Sequence, residues 1–133
     1  MTLTDDHIPE LDLYLKAVYE KKARDIVVLD VRELTSVADV FIICSGKSNR
    51  QVMALAERIK AVLGQQKIKP ISIEGLSEGL WVLLDYGSVI FHIFYEPIRA
   101  FYDLDGLWID AKKIDHPASQ PPNPKTELND ETR

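Results

Sequence analysis

Apolar and polar positions alternate most regularly between Gly79 and Tyr95, where the runs Trp81-Val-Leu-Leu-Asp-Tyr86 and Val89-Ile-Phe-His-Ile-Phe-Tyr95 flank Gly87-Ser88. This pattern predicts a β-hairpin closed by a two-residue type II′ turn, because glycine at the first central position supplies the positive φ the turn needs. The register then sets Tyr86 opposite Val89, Asp85 opposite Ile90, Leu84 opposite Phe91, Leu83 opposite His92, Val82 opposite Ile93 and Trp81 opposite Phe94. Side chains alternate between faces, so Val82, Leu84, Tyr86, Val89, Phe91 and Ile93 form a core face. The other face carries Trp81, Leu83, Asp85, Ile90, His92 and Phe94.

The rest of the chain is placed around this hairpin. Leu11, Tyr14, Leu15 and Val18 make one stripe of a helix from about Pro9 to Ala23, with acids at its start and Lys21 and Lys22 at its end. Asp25-Ile-Val-Val-Leu-Asp-Val31 and Val40 to Cys44 are nearly continuous apolar runs, expected as the two central strands, buried on both faces. Ser48 is placed to cap a helix with Gln51 as its capping-box partner, worth about 1 kcal/mol. Val52, Leu55, Ala56, Ile59 and Leu63 form its buried stripe, and Gly64 is expected to end it. Pro70 to Glu74 reads as an edge strand, Gly75 to Gly79 as a turn, and Pro97 as the first turn of a short helix carrying Ile98, Phe101, Tyr102 and Leu104. The expectation is an α/β fold, a mixed five-stranded sheet with flanking helices and too few of them to cover both faces. The partly exposed face should include Trp81, Asp85 and His92. Leu107 and Trp108 are read equally well as closing the core or as extending that exposed patch.

Large aromatic and aliphatic groups interrupted by a carboxylate and an imidazole do not make a dry core. An unpaired buried charge costs several kcal/mol, so Asp85 and His92 are expected to reach water or each other. A tryptophan beside polar groups on a half-open sheet is the composition of a protein-binding patch. A strand tryptophan is as often packed beneath a helix, and composition weighs the two readings evenly. Acid–base chemistry by Asp85 and His92 lacks a nucleophile or third group nearby, which favours a structural pair.

Composition narrows the function classes. With 133 residues, 46% hydrophobic and 28% charged, the chain has the size and balance of one globular domain. No apolar run is long enough for a membrane span, and the acidic N-terminus resembles neither a signal nor a transit peptide, so the protein is expected in the cytoplasm. Cys44, the single cysteine, reads as a buried inert thiol. His7, His92 and His116 show no metal-ligand spacing, so no metal or other cofactor is expected. Gly46-Lys-Ser48 looks like the end of a phosphate-binding loop, but the glycine required five residues earlier is Phe41. Residues 111–133 carry four basic and four acidic groups, so the net charge of −5 sits on residues 1–110. Such a domain is repelled by phosphate backbones, and nucleic acid is not expected as its main contact. From Ala111 onward the Pro-rich, polar composition is expected to be a disordered tail.

Several segments in this order resemble the ribosomal silencing factor family, also called Iojap: Asp25 to Val31, Ala38-Asp39, Cys44-Ser-Gly46, Ser48-Asn-Arg-Gln-Val52, Glu74-Gly75, Trp81 to Gly87, His92-Ile-Phe94, Phe101-Tyr-Asp-Leu104 and Leu107-Trp108. The resemblance runs from about residue 10 to 110. It implies a nucleotidyltransferase-like fold without transferase activity; no Asp-x-Asp pair lies on an expected strand, and Asp30, Asp39 and Asp85 stand on different segments. It further implies binding to large-subunit ribosomal protein fourteen, steric blocking of small-subunit joining, and repression of translation when nutrients run short. Carried over by motif, the partner-binding residues are Trp81, Leu83, Asp85, His92, Tyr102 and Trp108, with Trp81 as apolar anchor and Asp85 as acceptor for a basic side chain. The chain departs from the family at Ser88, Pro97 and Ile98, where acidic residues are common, which bears on the number of charge pairs. Members form homodimers, and an exposed apolar face is able to self-associate by the same chemistry. The competing reading is a homodimeric adaptor or ribosome assembly factor on the large subunit without anti-association activity.

Overall fold

A computed structural model describes residues 11–19 and 23–114. Its elements are α1 (Leu11–Tyr19), β1 (Arg24–Asp30), β2 (Val40–Gly46), α2 (Asn49–Gln65), β3 (Ser72–Glu74), β4 (Trp81–Asp85), β5 (Val89–Tyr95), α3 (Glu96–Tyr102), α4 (Leu104–Leu107) and β6 (Lys112–Lys113). The strands form one mixed sheet in the order β3-β4-β5-β2-β1-β6, parallel only between β2 and β5.

The hairpin forms in the expected register from Trp81↔Phe94 to Asp85↔Ile90, with Gly87 at φ 91. Every residue of β2 is buried, which its uninterrupted Val-Phe-Ile-Ile-Cys run requires. The central pair, however, is β2 with β5. β1 lies one strand from the edge, its first two residues are exposed, and a register shift between Arg24 and Val27 accompanies Asp25 at φ 50. β3 is an edge strand, shorter than expected.

A sixth strand replaces the expected start of the tail. Lys112 and Lys113 pair with Asp30 and Leu29, and Ile114 is buried, so the ordered domain passes residue 110. The expected tail beyond Ile114 and the ends of the first helix, including Lys21 and Lys22, lie outside the described residues.

α1 and α2 cover one face of the sheet, burying Val82, Leu84, Tyr86, Val89, Phe91 and Ile93 in the main core. Ser48 Oγ accepts from Gln51 N–H at 3.1 Å, while the Gln51 side chain reaches Lys47 N–H, one residue short of the usual capping-box donor. Gly64 does not end α2. The helix continues to Gln65, Gln66 caps it, and Lys67 takes the left-handed conformation at φ 63. The thiol of Cys44 is fully buried, and burial pushes its pKa up to about 12.

The second face holds a smaller core of Leu29, Val31, Ala38, Phe41, Ile43, Ile90, Phe94 and Leu104. The single helix expected after the hairpin is two, separated by Asp103 at φ 49 and ψ 52, whose carboxylate accepts from Gly106 N–H at 3.1 Å. An aspartate tolerates this backbone because its short polar side chain bonds locally. Together α3 and α4 cover part of the second face and leave β4 open.

Candidate docking face

Trp81 is presented by the first residue of β4, and its position depends on the turn before it. Gly75 has φ 80, and a Cβ there would overlap the carbonyl of Trp81, so only glycine lets this turn close against the strand. The part-buried indole lies 4.8 Å from the ring of Phe94 and 5.3 Å from that of Tyr102, centroid to centroid. One side of the Trp81 ring is therefore packed, and the residue remains partly open.

Leu83 and Asp85 follow on the same side of β4, both part-buried. Asp85 and His92 do not meet. Asp85 Oδ1 accepts from Gly87 N–H at 2.8 Å and so braces the hairpin turn, with Oδ2 unbonded to any side chain among the described residues. His92 was expected on the open area but is 6% exposed. Its Nδ1 accepts from Trp81 Nε1–H at 3.2 Å, and its ring meets Phe41 edge-on at 4.9 Å. Burial lowers its pKa from 6.5 to about 4, so the imidazole is neutral at pH 7.

Tyr102 is 55% exposed at the end of α3, beside exposed Phe101, and continues the aromatic surface from Trp81. Trp108 instead closes the smaller core, meeting Phe41 at 5.2 Å, whereas Leu107 points outward at 73% exposure. Of the expected six residues, Tyr102 is exposed, Trp81, Leu83, Asp85 and Trp108 are part-buried, and His92 alone is buried; Trp108 packs against Phe41 and not against the Trp81–Tyr102 pair.

The sequence reading missed Arg99. No residue of α3 is buried, yet the helix is held to the sheet because the Arg99 guanidinium makes four bonds. Two go to the Asp105 carboxylate at 3.1 and 2.8 Å, one to Ser45 Oγ and one to the Asp25 carbonyl, both at 2.8 Å. The guanidinium holds the Asp105 carboxyl below the usual carboxylate range. Nothing in the local sequence marks this role, since Asp25, Ser45 and Asp105 are distant from one another along the chain.

The arrangement presents a tryptophan, a leucine and a carboxylate on β4 beside the Tyr102 ring from α3, which can receive an apolar side chain next to a cation. No group of three or more His, Cys, Asp or Glu among the described residues is placed to hold a metal ion. Nor is any described helix long and apolar enough to cross a membrane.

A family model described as ribosomal silencing factor during starvation matches residues 4–133. Over 105 residues the chain is 40% identical to a ribosomal silencing factor of Halalkalibacterium halodurans, covering 79% of this chain and 90% of that protein. A Bacillus subtilis ribosomal silencing factor is also 40% identical over 105 residues, covering 79% of this chain and 89% of its own length. A crystal structure of a protein from Chromobacterium violaceum aligns with a TM-score of 0.71 at 35% identity, covering 83% of this chain and 92% of that one.

Proposed function

Because this chain belongs to the ribosomal silencing factor family, which acts on the ribosome, we propose that it binds the large ribosomal subunit through ribosomal protein fourteen and blocks joining of the small subunit. Translation is thereby repressed when nutrients are limiting. The family is one of regulatory proteins rather than known enzymes, and this chain works by occupying a surface, without catalysis and without a cofactor.

The observation that carries this reading is the open edge of the second sheet face, where Trp81 and Tyr102 stand 5.3 Å apart beside Leu83 and Asp85. Aromatic side chains with a nearby carboxylate suit a basic protein partner, and the net charge of −5 disfavours direct docking on RNA. Trp81 is the apolar anchor, Leu83 and Tyr102 extend it, and Asp85 Oδ2 accepts from a lysine or arginine of the partner. His92 and Trp108 support the face from beneath. An exposed apolar surface of this kind is also able to pair with a second copy of the chain.

The test is light scattering of large and small subunits mixed at magnesium concentrations that permit joining, after the large subunit is incubated with the wild-type protein or with Trp81→Ala. Wild type should suppress joining. The variant should have lost about 2 kcal/mol or more of binding and should fail to suppress it at matched concentration. Joining that proceeds unchanged while wild-type protein sits on the large subunit would remove the blocking mechanism and leave an adaptor or assembly factor.

A further inference from the structure

An indole resting on an apolar surface is held by dispersion, which changes little between neighbouring orientations. The Trp81 ring has one directional contact as well, from Nε1–H to His92 Nδ1 at 3.2 Å. An indole nitrogen only donates, so Nδ1 carries the lone pair and the imidazole proton sits on Nε2. His92 cannot follow the indole if it turns. Its ring is wedged edge-on against Phe41 at 4.9 Å and lies nearly parallel to Phe94, 6.4 Å away.

This histidine is unfavourable for the fold. Its Nε2 is buried and has no protein partner among the described residues, and a buried donor without an acceptor is destabilising. A phenylalanine has similar size and the same aromatic contacts, and it lacks the orphaned donor. What phenylalanine cannot supply is the acceptor that faces Trp81.

We propose, on the ribosome-binding reading above, that His92 is a positioning residue of the docking face: it does not touch the partner, and its Nδ1 fixes the Trp81 indole against Phe94 and Tyr102 in the orientation the partner receives. An anchor already held in its bound orientation loses less freedom on association. The acceptor therefore contributes to affinity, while in folding its bond to the indole is offset by the orphaned Nε2 donor on the same ring.

The test uses the full chain as wild type, His92→Phe, His92→Asn and Trp81→Phe, with three readouts: affinity for purified large ribosomal subunits, thermal midpoint, and the Trp81 indole N–H resonance. Trp81→Phe assigns that resonance against Trp108. His92→Phe should bind about tenfold more weakly, the size of one lost directional contact. It should melt no lower than wild type, and its indole N–H should move upfield and exchange faster. His92→Asn places an amide oxygen near the position of Nδ1 and should recover most of the affinity and the resonance. In the Trp81→Phe background, where the donor is gone, His92→Phe should change binding less than about twofold.

An unchanged indole resonance or wild-type affinity in His92→Phe overturns the assignment. So does a parallel loss of binding and thermal stability, which marks a purely structural residue. If wild type itself fails to bind large subunits, the ribosome-binding reading falls, and the resonance in the free protein still decides whether His92 orients Trp81.

Discussion

Burial holds the His92 imidazole neutral, with its pKa lowered from 6.5 to about 4. In the unfolded chain the ring takes up a proton near its ordinary pKa, so between those values the unfolded state binds more protons. Stability from this group is complete above pH 6.5 and falls as the pH drops toward 4, by about 3 kcal/mol in all. Chemical denaturation at pH 7 and pH 4.5 should show this loss in wild type and a clearly smaller one in His92→Phe. Equal losses in both proteins would mean that His92 is not the group responsible. The periodicity of β5 placed His92 on the second face, but its burial depends on Phe41 from β2 and Trp81 from β4. A carboxylate and an imidazole two positions apart in cross-strand register looked like a pair, yet each found a better local partner: the Gly87 amide for Asp85 and the Trp81 indole for His92.

At the scale of elements, α3 and α4 show how a segment with little apolar burial is held in place. Ile98 and Leu104 pack on the smaller core, and Arg99 supplies the polar attachment to β1, β2 and Asp105. Its guanidinium is mostly buried, with 13% exposure, so removing it leaves Asp105 and Ser45 without their partner. Arg99→Met should destabilise the protein by about 2 kcal/mol or more. Amide hydrogen exchange should speed up across residues 96–108 while β2 and β5 stay protected. Arg99→Lys should recover little, because one ammonium does not reproduce a planar fork bonded on three sides. Uniform loss of protection over the whole sheet would show that Arg99 supports the core in general. The Tyr102 ring moves with this segment, so large-subunit binding should weaken in the same variant.

For the whole molecule, charge acts over longer range than the aromatic contacts. A negatively charged domain approaching a basic protein gains in association rate, and the gain fades with salt. Asp85→Asn keeps an oxygen for the Gly87 amide, so its stability should stay within about 0.5 kcal/mol of wild type. Its association with large subunits should be slower at low salt and approach the wild-type rate as ionic strength rises. An equal deficit at all salt concentrations would assign Asp85 a short-range role only. The smaller core and the open edge of β4 both follow from one asymmetry: two longer-range helices shield one face, and only a short helical pair reaches the other.

The sequence by itself determined the hairpin, its register and the two faces, because alternation and the Gly87 turn are local. It also determined the Ser48 cap, the buried β2 run, and the ordered set of segments by which the family is recognisable. Only the tertiary structure decided which faces were covered. Strand order placed β2 between β5 and β1 and made β2 with β5 the central pair, and two backbone-paired lysines added β6 without any apolar signal. Lys67 took the left-handed position beyond Gly64, a choice settled by the backbone at the end of α2. Trp108 turned inward to Phe41 while Leu107 turned out, and Arg99 gathered partners from β1, β2 and the neighbouring α4. Apart from the local choice at Lys67, these rest on contacts between segments that the fold brings together, where periodicity and propensity carry no information.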